Sequence, residues 1–156
     1  MWRVLLGGTG SVVRTLLVLW DVDHTLIENH GVNKEAYALA FQLLTGRPAE
    51  HSAQTDGRTE PEIMRNMLLR HGIEPTADYV SRMPDVLEAA TSSKAKRLRE
   101  RGNELPGARD ALATLQATPG IIQSTLSGNI KPNAFTKLSA FDLDKYFDFE
   151  VGGYGS

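Results

Sequence analysis

The stretch from Thr15 to Trp20 is apolar without alternation. Such a run is typical of a strand covered on both faces, as in a parallel sheet flanked by helices. Two acidic residues, Asp21 and Asp23, follow it directly, although aspartate is unfavourable in strands. Two later apolar runs, 120–126 and 147–151, predict two further strands.

Between these strands, apolar positions recur with the period of a helix. The first predicted helix is capped by Asn33 and ends at Gly46. A second begins at the capping box TEPE, residues 59–62, and ends at Gly72. Further helices are predicted over 76–101 with an interruption near Pro84, over 104–116, and from Pro132 to Phe141.

The predicted order is strand, a long helical stretch, and then helix, strand, helix, strand. Strands separated by helices favour an α/β fold with a Rossmann-like parallel sheet and right-handed crossovers. The helical stretch is too long for one crossover, so we expect an inserted all-helical cap domain at 29–102. The core would then comprise 1–28, including an N-terminal extension at 1–14, and 103–156.

The chain has 156 residues, of which 41% are hydrophobic and 23% charged, and its net charge is -2. This suits one or two compact domains and does not indicate a nucleic-acid surface, which needs a strongly basic balance. The lack of cysteine excludes disulfides, thiolate metal sites and cysteine nucleophiles. Arg14 interrupts the apolar N-terminus before the ~20 residues that span a bilayer, so we expect a cytoplasmic protein without membrane contact.

The pair Asp21 and Asp23 is the strongest chemical signal in the sequence. Residues two apart in an extended chain point to the same side, so the two carboxylates can converge where open α/β sheets build their sites. A hard cation such as Mg²⁺ prefers oxygen ligands and would offset their charge. One carboxylate could then attack a substrate while the other transfers a proton.

Four segments, in order along the chain, resemble the haloacid dehalogenase-like hydrolase superfamily. The segment LVLWDVDHTL is similar to its first motif, a hydrophobic strand followed by Asp-x-Asp-x-Thr. TDGRTEPEIMRNML and ELPGARDALATL resemble the cap segment and the helix that re-enters the core in the phosphoglycolate phosphatase-like branch. The segment that begins STLSGN resembles the second motif and the region after it.

This resemblance implies a Mg²⁺-dependent phosphatase that forms an aspartyl-phosphate and acts on a small phosphorylated metabolite. Asp21 would be the nucleophile and Asp23 the general acid and then the base, and both would hold the metal. Ser127 would donate its hydroxyl to the transferring phosphate. The other residues implied in phosphate or substrate binding are Gly128, Asn129, Thr25 and Arg58.

Several signals have simpler explanations. The Asp-x-Asp pattern alone could be a solvated turn, and Arg58, beside a capping box, could equally lie on the surface. The four histidines show no metal-ligand spacing, and the basic run 94–101 is typical of a solvated helix face. The glycine-rich residues 7–10 precede a strand-like segment, which disfavours a dinucleotide site. Lys131 falls at the wrong place for the lysine of the family's third motif.

After Ser127 the sequence departs from the family pattern, because no later residue is expected to supply the third-motif lysine or the fourth-motif acidic cluster. The strand that carries those motifs would also be missing, which would leave 15–20 at the edge of the sheet. We expect a C-terminal truncation, a partner chain that completes the sheet, or compensation by a hairpin strand at 2–6.

The sequence is consistent with three functions. The first is a phosphomonoester hydrolase, nearly inactive as residues 1–156 alone. The second is a non-catalytic fragment or degenerate member that binds phosphate or metal without turnover. The third is a phosphosugar mutase that uses the same aspartates. The aspartates favour the first for the complete protein, and the missing motifs favour the second for this chain.

Overall fold

A computed structural model describes residues 15–155 of the chain. The N-terminal extension at 1–14, with the hairpin strand expected at 2–6 and the glycine-rich residues 7–10, lies outside the described residues. Within 15–155, every helix is too short or too polar to cross a membrane.

The helices of residues 32–101 are inserted between the first strands and the rest of the sheet. In chain order the elements are β1 (Leu16–Trp20), β2 (Ile27–Glu28), α1 (Val32–Thr45), α2 (Glu60–Arg70), α3 (Ala77–Arg101), β3 (Asn103–Glu104), α4 (Ala108–Gln116), β4 (Ile121–Thr125), α5 (Lys131–Ser139) and a 3₁₀ turn (Asp144–Tyr146). We refer to α1, α2 and α3 as the helical block.

β1 and β4 pair in parallel, with Trp20 opposite Thr125 at their carboxyl ends. β2 and β3 form a short antiparallel pair. Because β1 and β4 end level, the segments that begin at Asp21 and Leu126 leave the sheet at the same edge. The predicted α/β fold with a parallel sheet is confirmed, and this pairing brings the two predicted motifs together.

β1 is less covered than its apolar sequence predicts. Leu16 is 58% exposed, and Leu17 and Leu19 are also exposed. Within the described residues β1 pairs only with β4, so its second edge has no described neighbour. For residues 15–155, the prediction of a strand covered on both faces is therefore wrong.

The prediction of a strand at 147–151 is also wrong. The Asp148 N–H donates to the Gln123 carbonyl at 2.8 Å, and the next backbone contact with β4 is at Gly153. Between these points, the Asp148 carboxylate accepts a hydrogen bond from the Glu150 N–H at 2.9 Å. This bond bends the backbone into a turn, so a continuous ladder beside β4 cannot form.

α1 begins before its predicted cap. Gly31 precedes the helix in a left-handed conformation with φ 86°, and the Asn29 side chain accepts from the N–H groups of Gly31 and Asn33 at 3.0 and 3.4 Å. The Asn29 side chain, and not that of Asn33, therefore accepts the free N–H groups at the start of the helix. Asn33 lies in the first turn, and its side chain points to Asp23 instead.

α3 is continuous through Pro84, so the predicted interruption is wrong. Proline removes one backbone hydrogen bond, but Met83 and Leu87 beside it are buried and hold the helix in place. The basic end of α3 is exposed, as predicted, yet it is anchored. Arg101 contacts the Glu35 carboxylate at 2.5 Å and so ties α3 to α1.

Apolar side chains form two principal clusters. One is formed mainly by the helical block, includes Phe41, Met64 and Leu87, and is joined by Ile130 from the start of α5. The other joins α4 and α5 to the turn after β1 and includes Val22 and Leu138. The helical block thus has an apolar core of its own, while the boundary of an inserted cap at 29–102 stays a prediction.

Candidate active site

A cavity of about 790 Å³ lies between the carboxyl ends of β1 and β4 and the helical block. Its lining from the strand ends includes Asp21, Asp23, Ser127, Gly128 and Asn129. From the helical side it includes Lys34, Tyr37, Arg58 and Glu60. Carboxylates, an amide and a hydroxyl therefore meet cationic side chains in one space.

A tight turn after β1 presents the two aspartates to this cavity. Val22 and Leu26 are fully buried, and the Val22 carbonyl accepts from the Leu26 N–H at 3.0 Å. Asp21 is exposed at the cavity, and its Oδ1 accepts from the Val22 N–H at 2.8 Å. The other Asp21 carboxylate oxygen has no donor among residues 15–155, so it can face a ligand.

Asp23 is held by three side chains. Its Oδ2 lies 2.9 Å from the Lys137 Nζ and accepts from the Asn129 amide at 3.0 Å. Its Oδ1 accepts from the Asn33 amide at 2.8 Å. Burial acts to raise the pKa of Asp23, but the Lys137 ammonium and the amides outweigh it and lower the pKa below the ordinary 3.8. In this arrangement Asp23 is ionised at neutral pH.

We expected no residue after Ser127 to supply the third-motif lysine, and the structure places the Lys137 ammonium beside Asp23. The Lys137 side chain is 2% exposed, and its Nζ also donates to the Asn129 Oδ1 at 2.5 Å. In the sequence, Lys137 falls on the buried face of α5 with Ala134 and Leu138. A lysine on such a face is rare without a charged partner, and this is the signal that could have identified it.

The segment after β4 is ordered around the Ser127 hydroxyl. Ser127 Oγ accepts from the Asn129 side-chain amide at 2.6 Å and from its N–H at 3.2 Å. Both contacts use the oxygen as acceptor, so the hydroxyl proton is left for another group, such as a phosphate oxygen. Gly128 packs closely against the segment that leads into α2, because a Cβ there would lie 2.9 Å from the Arg58 carbonyl oxygen.

A second buried acid, Glu60, lies on the helical side and is also absent from the residues chosen from the sequence. It is 1% exposed, and its Oε2 accepts from the Ile130 N–H at 2.9 Å and from the Asn133 amide at 2.8 Å. Its Oε1 accepts from the Tyr37 hydroxyl at 3.3 Å and lies 3.9 Å from the Lys137 Nζ. Burial raises the pKa of Glu60 above the ordinary 4.5, and the Lys137 charge is the largest opposing influence.

No family model and no curated protein sequence matches the chain. Among solved structures, a predicted phosphoglycolate phosphatase from Haemophilus somnus is 16% identical with a TM-score of 0.57, over 94% of this chain and 65% of that one. A HAD hydrolase, family IA, variant 3, from Entamoeba histolytica is 13% identical with a TM-score of 0.59, over 92% of this chain and 61% of that one. The chain has the fold of the haloacid dehalogenase-like hydrolases. It spans less than two thirds of either solved chain.

Within this haloacid dehalogenase-like fold, the predicted site residues fall into two groups. Those that line the cavity are Asp21, Asp23, Ser127, Gly128, Asn129 and Arg58. Thr25 is exposed and lies outside the cavity lining, and its N–H contacts the Val22 carbonyl at 3.4 Å. Lys131 pairs with Glu150 at the surface, 2.5 Å away. The catalytic and binding roles of these residues stay predictions.

For a metal ion, the cavity offers the Asp21 carboxylate, and the backbone carbonyl of Asp23 accepts no hydrogen bond among residues 15–155. The Asp23 side chain is already engaged by Lys137 and two amides. Mg²⁺ is bound by one or two protein carboxylates and keeps several waters, and these oxygen groups fit that pattern. Within 15–155, no three His, Asp or Glu side chains group closely enough to hold a metal by themselves.

Proposed function

We propose that the protein is a Mg²⁺-dependent phosphomonoester hydrolase that forms an aspartyl-phosphate on Asp21. The observation that carries the proposal is that Asp21, Asp23 and Ser127 share one cavity, with the buried Lys137 ammonium 2.9 Å from Asp23. A nucleophilic carboxylate, a proton carrier, a hydroxyl donor and a cation are the groups that phosphoryl transfer uses.

The proposed reaction has two steps. An Asp21 oxygen attacks phosphorus, the bond from phosphorus to the ester oxygen breaks, and the leaving oxygen takes a proton from Asp23. An alcohol departs and Asp21 carries the phosphoryl group. Asp23, now a carboxylate, takes a proton from a water whose oxygen attacks phosphorus. The bond to Asp21 then breaks, and inorganic phosphate leaves.

Neighbouring donors stabilise the phosphoryl oxygens in this scheme. The Ser127 hydroxyl donates to one of them. The Lys137 ammonium, which is 2% exposed and contacts Asp23 and Asn129, adds positive charge behind this donor. When bound, Mg²⁺ supplies positive charge that offsets the phosphate and the Asp21 carboxylate. Fixed donors of this kind act where negative charge develops.

The acid role of Asp23 requires that substrate binding changes its protonation, because the pKa of Asp23 is lowered in the structure. A phosphate dianion bound at Asp21 and Ser127 brings negative charge close to Asp23. This charge raises the pKa of Asp23. Binding of substrate therefore prepares Asp23 to protonate the leaving group.

The substrate class that we propose is a small phosphorylated metabolite. A cavity of about 790 Å³ suits such a molecule. Lys34 and Arg58 line its helical side and attract an anion. We propose that the helical block acts as a cap that selects the substrate. We further propose that additional polypeptide, from a partner chain or another segment, covers the exposed leucines of β1.

The test is hydrolysis of an aryl phosphate with Mg²⁺ by the chain, by Asp21→Asn and by the control Asp110→Asn. Asp110 is exposed on α4, away from the cavity. We expect the Asp21→Asn rate to fall at least about 10³-fold while the control keeps its activity. Acid-quenched protein should carry one phosphoryl group by mass spectrometry, and Asp21→Asn should carry none. Turnover that survives in Asp21→Asn would exclude Asp21 as the nucleophile.

The second candidate is phosphate or metal binding without turnover by residues 1–156. The observation in its favour is that the described residues supply no cluster of three acidic metal ligands. We accordingly expect slow turnover, for which phosphoenzyme trapping is the more sensitive measurement. Binding of inorganic phosphate, seen as shifted amide signals, without any phosphoenzyme would support this candidate. An isomerised sugar phosphate as product would indicate a mutase.

A further inference from the structure

Glu60 is the charged contact between the helical block and the reaction centre. It is the first residue of α2, and its N–H donates to the Gly128 carbonyl at 2.8 Å. Its carboxylate accepts from the Ile130 N–H and from the Asn133 side chain at the start of α5. One acidic residue of the helical block therefore binds the segment 127–139, which carries Ser127, Asn129 and Lys137.

Every polar partner of the Glu60 side chain is a hydrogen-bond donor. Ile130, Asn133 and Tyr37 donate to its two oxygens, and the Lys137 ammonium lies 3.9 Å away. A protonated carboxyl could donate its hydrogen only to the Tyr37 hydroxyl oxygen, because the Ile130, Asn133 and Lys137 nitrogens cannot accept. The three nitrogen donors therefore fit the ionised form. An apolar side chain could fill the same space without burying a charge. Packing alone does not explain an acid at this position.

The Lys137 ammonium lies between two acids, 2.9 Å from the half-buried Asp23 and 3.9 Å from the buried Glu60. Asn129 Oδ1 contacts a third side of it at 2.5 Å. Without the Glu60 carboxylate, Lys137 would lose one of its two acidic neighbours, and the Ile130 N–H and the Asn133 amide would lose their acceptor at the start of α5. Glu60 and Asp23 therefore attract Lys137 from two sides, and Asn129 contacts the same ammonium.

We propose that Glu60 is a positioning residue, which holds the start of α5 and the Lys137 ammonium so that Lys137 and Asn129 meet Asp23. The proposal rests on the function proposed above, because it assigns Glu60 to the same reaction centre. Since Glu60 belongs to the helical block, the catalytic arrangement is complete only while α2 is packed against 127–139. Substrate selection by the block and catalysis at the strand ends are thereby linked through one side chain.

The first test compares Glu60→Gln with the matched control Glu62→Gln. Glu62 lies in the same helical turn, is exposed, and contacts Thr59 through its carboxylate. In proton–nitrogen correlation spectra, the side-chain amide signals of Asn129 report its contact with Asp23. We expect Glu60→Gln to move these signals and Glu62→Gln to leave them in place. This spectrum needs no turnover.

The second test is steady-state hydrolysis of an aryl phosphate. Glu60→Gln should lower kcat about 10–100-fold and change KM by less than about threefold, because Glu60 orients other groups and does not touch the phosphate. Glu62→Gln should keep both values. Thermal melts of all variants separate these effects from loss of folded protein. Tyr37→Phe, which removes one donor to Glu60, should move the Asn129 signals in the same direction by a smaller amount.

The outcomes test the positioning role of Glu60 separately from the proposed phosphatase function. Unchanged Asn129 signals in folded Glu60→Gln would overturn it, as would an unchanged kcat in an active enzyme. Lower stability with signals and kcat unchanged would show a purely structural role. If Glu60→Gln does not fold, unmoved Asn129 signals in Tyr37→Phe overturn the proposal. If the unmodified chain has no turnover, the proposed function fails, while the Asn129 signals still decide the role of Glu60.

Discussion

Replacing Lys137 with methionine tests the charge arrangement at the centre of the site. Methionine has a similar length and suits a buried position, so packing should change little. The substitution leaves the Asp23 and Glu60 carboxylates without the ammonium that lies 2.9 and 3.9 Å from them. We therefore expect a large fall in the free energy of unfolding.

The size of this fall follows from the distances. At an effective dielectric of about 20, unit charges 2.9 and 3.9 Å apart attract by about 6 and 4 kcal/mol. Removing the ammonium also removes its own desolvation penalty, and the 22% exposure of the Asp23 side chain lets water screen part of the charge. We expect a net loss of about 3 kcal/mol, at the lower end of the range for breaking a buried ion pair from one side.

The loss should also depend on pH. The lowered pKa of Asp23 contributes stability above the ordinary value of 3.8, and this contribution is lost as the pH falls through the lower folded-state pKa. In Lys137→Met the contribution is absent, and burial raises the pKa of Asp23. Acid then protonates Asp23 and relieves its unpaired charge. The difference in stability between the two proteins should therefore shrink from about pH 7 to about pH 4.

Urea unfolding followed by tryptophan fluorescence measures both effects. The matched control is Lys131→Met in the same helix, which removes a surface pair with Glu150 and should leave stability nearly unchanged. Adding Glu60→Gln to Lys137→Met should restore part of the loss, because it removes one uncompensated charge. A loss below about 1 kcal/mol, or an equal loss at both pH values, would refute this account of the buried ion pairs.

Three further substitutions test separate features. Gly128→Ala should lower stability by about 1–3 kcal/mol and weaken phosphate binding, because its Cβ would lie 2.9 Å from the Arg58 carbonyl oxygen; normal melting and phosphate titration would contradict this. Pro84→Ala should stabilise the protein by about 1 kcal/mol, since alanine restores a hydrogen bond inside α3, and a lower melting temperature would count against it. Asn33→Ala removes a 2.8 Å donor to Asp23, so carbon NMR should show a higher pKa for that carboxyl; an unchanged pKa would mean that the amide is not bound in solution.

The part of the site that could be predicted from sequence consists of residues that directly follow strands. Asp21 and Asp23 end one apolar run, and Ser127 follows another. Parallel pairing of the two strands is then sufficient to bring these residues to one edge. Their chemistry and their position are both visible within a few residues of sequence.

Lys137 and Glu60 could not be recognised in this way, because their partners are far away in sequence. Lys137 meets Asp23 across 114 positions, and Glu60 meets Ile130 across 70. Periodicity indicates that each side chain faces inward, but not which charge it meets there. Tertiary contacts also determine that α3 continues through Pro84, because the residues beside it are buried. The run 147–151 has the composition of a strand, yet the hydrogen bond from Glu150 to the Asp148 carboxylate turns it away from the sheet.

The pairing of β1 with β4 has a consequence for how the protein folds. The two halves of the site are separated by the whole helical block, and contacts between such distant residues form slowly because a long loop must be closed first. The helical block has its own apolar cluster, so it can become compact early and shorten that loop. We expect the strands to pair late, after the block has formed. During synthesis on the ribosome, Asp21 and Asp23 then remain without Lys137 until α5 has emerged.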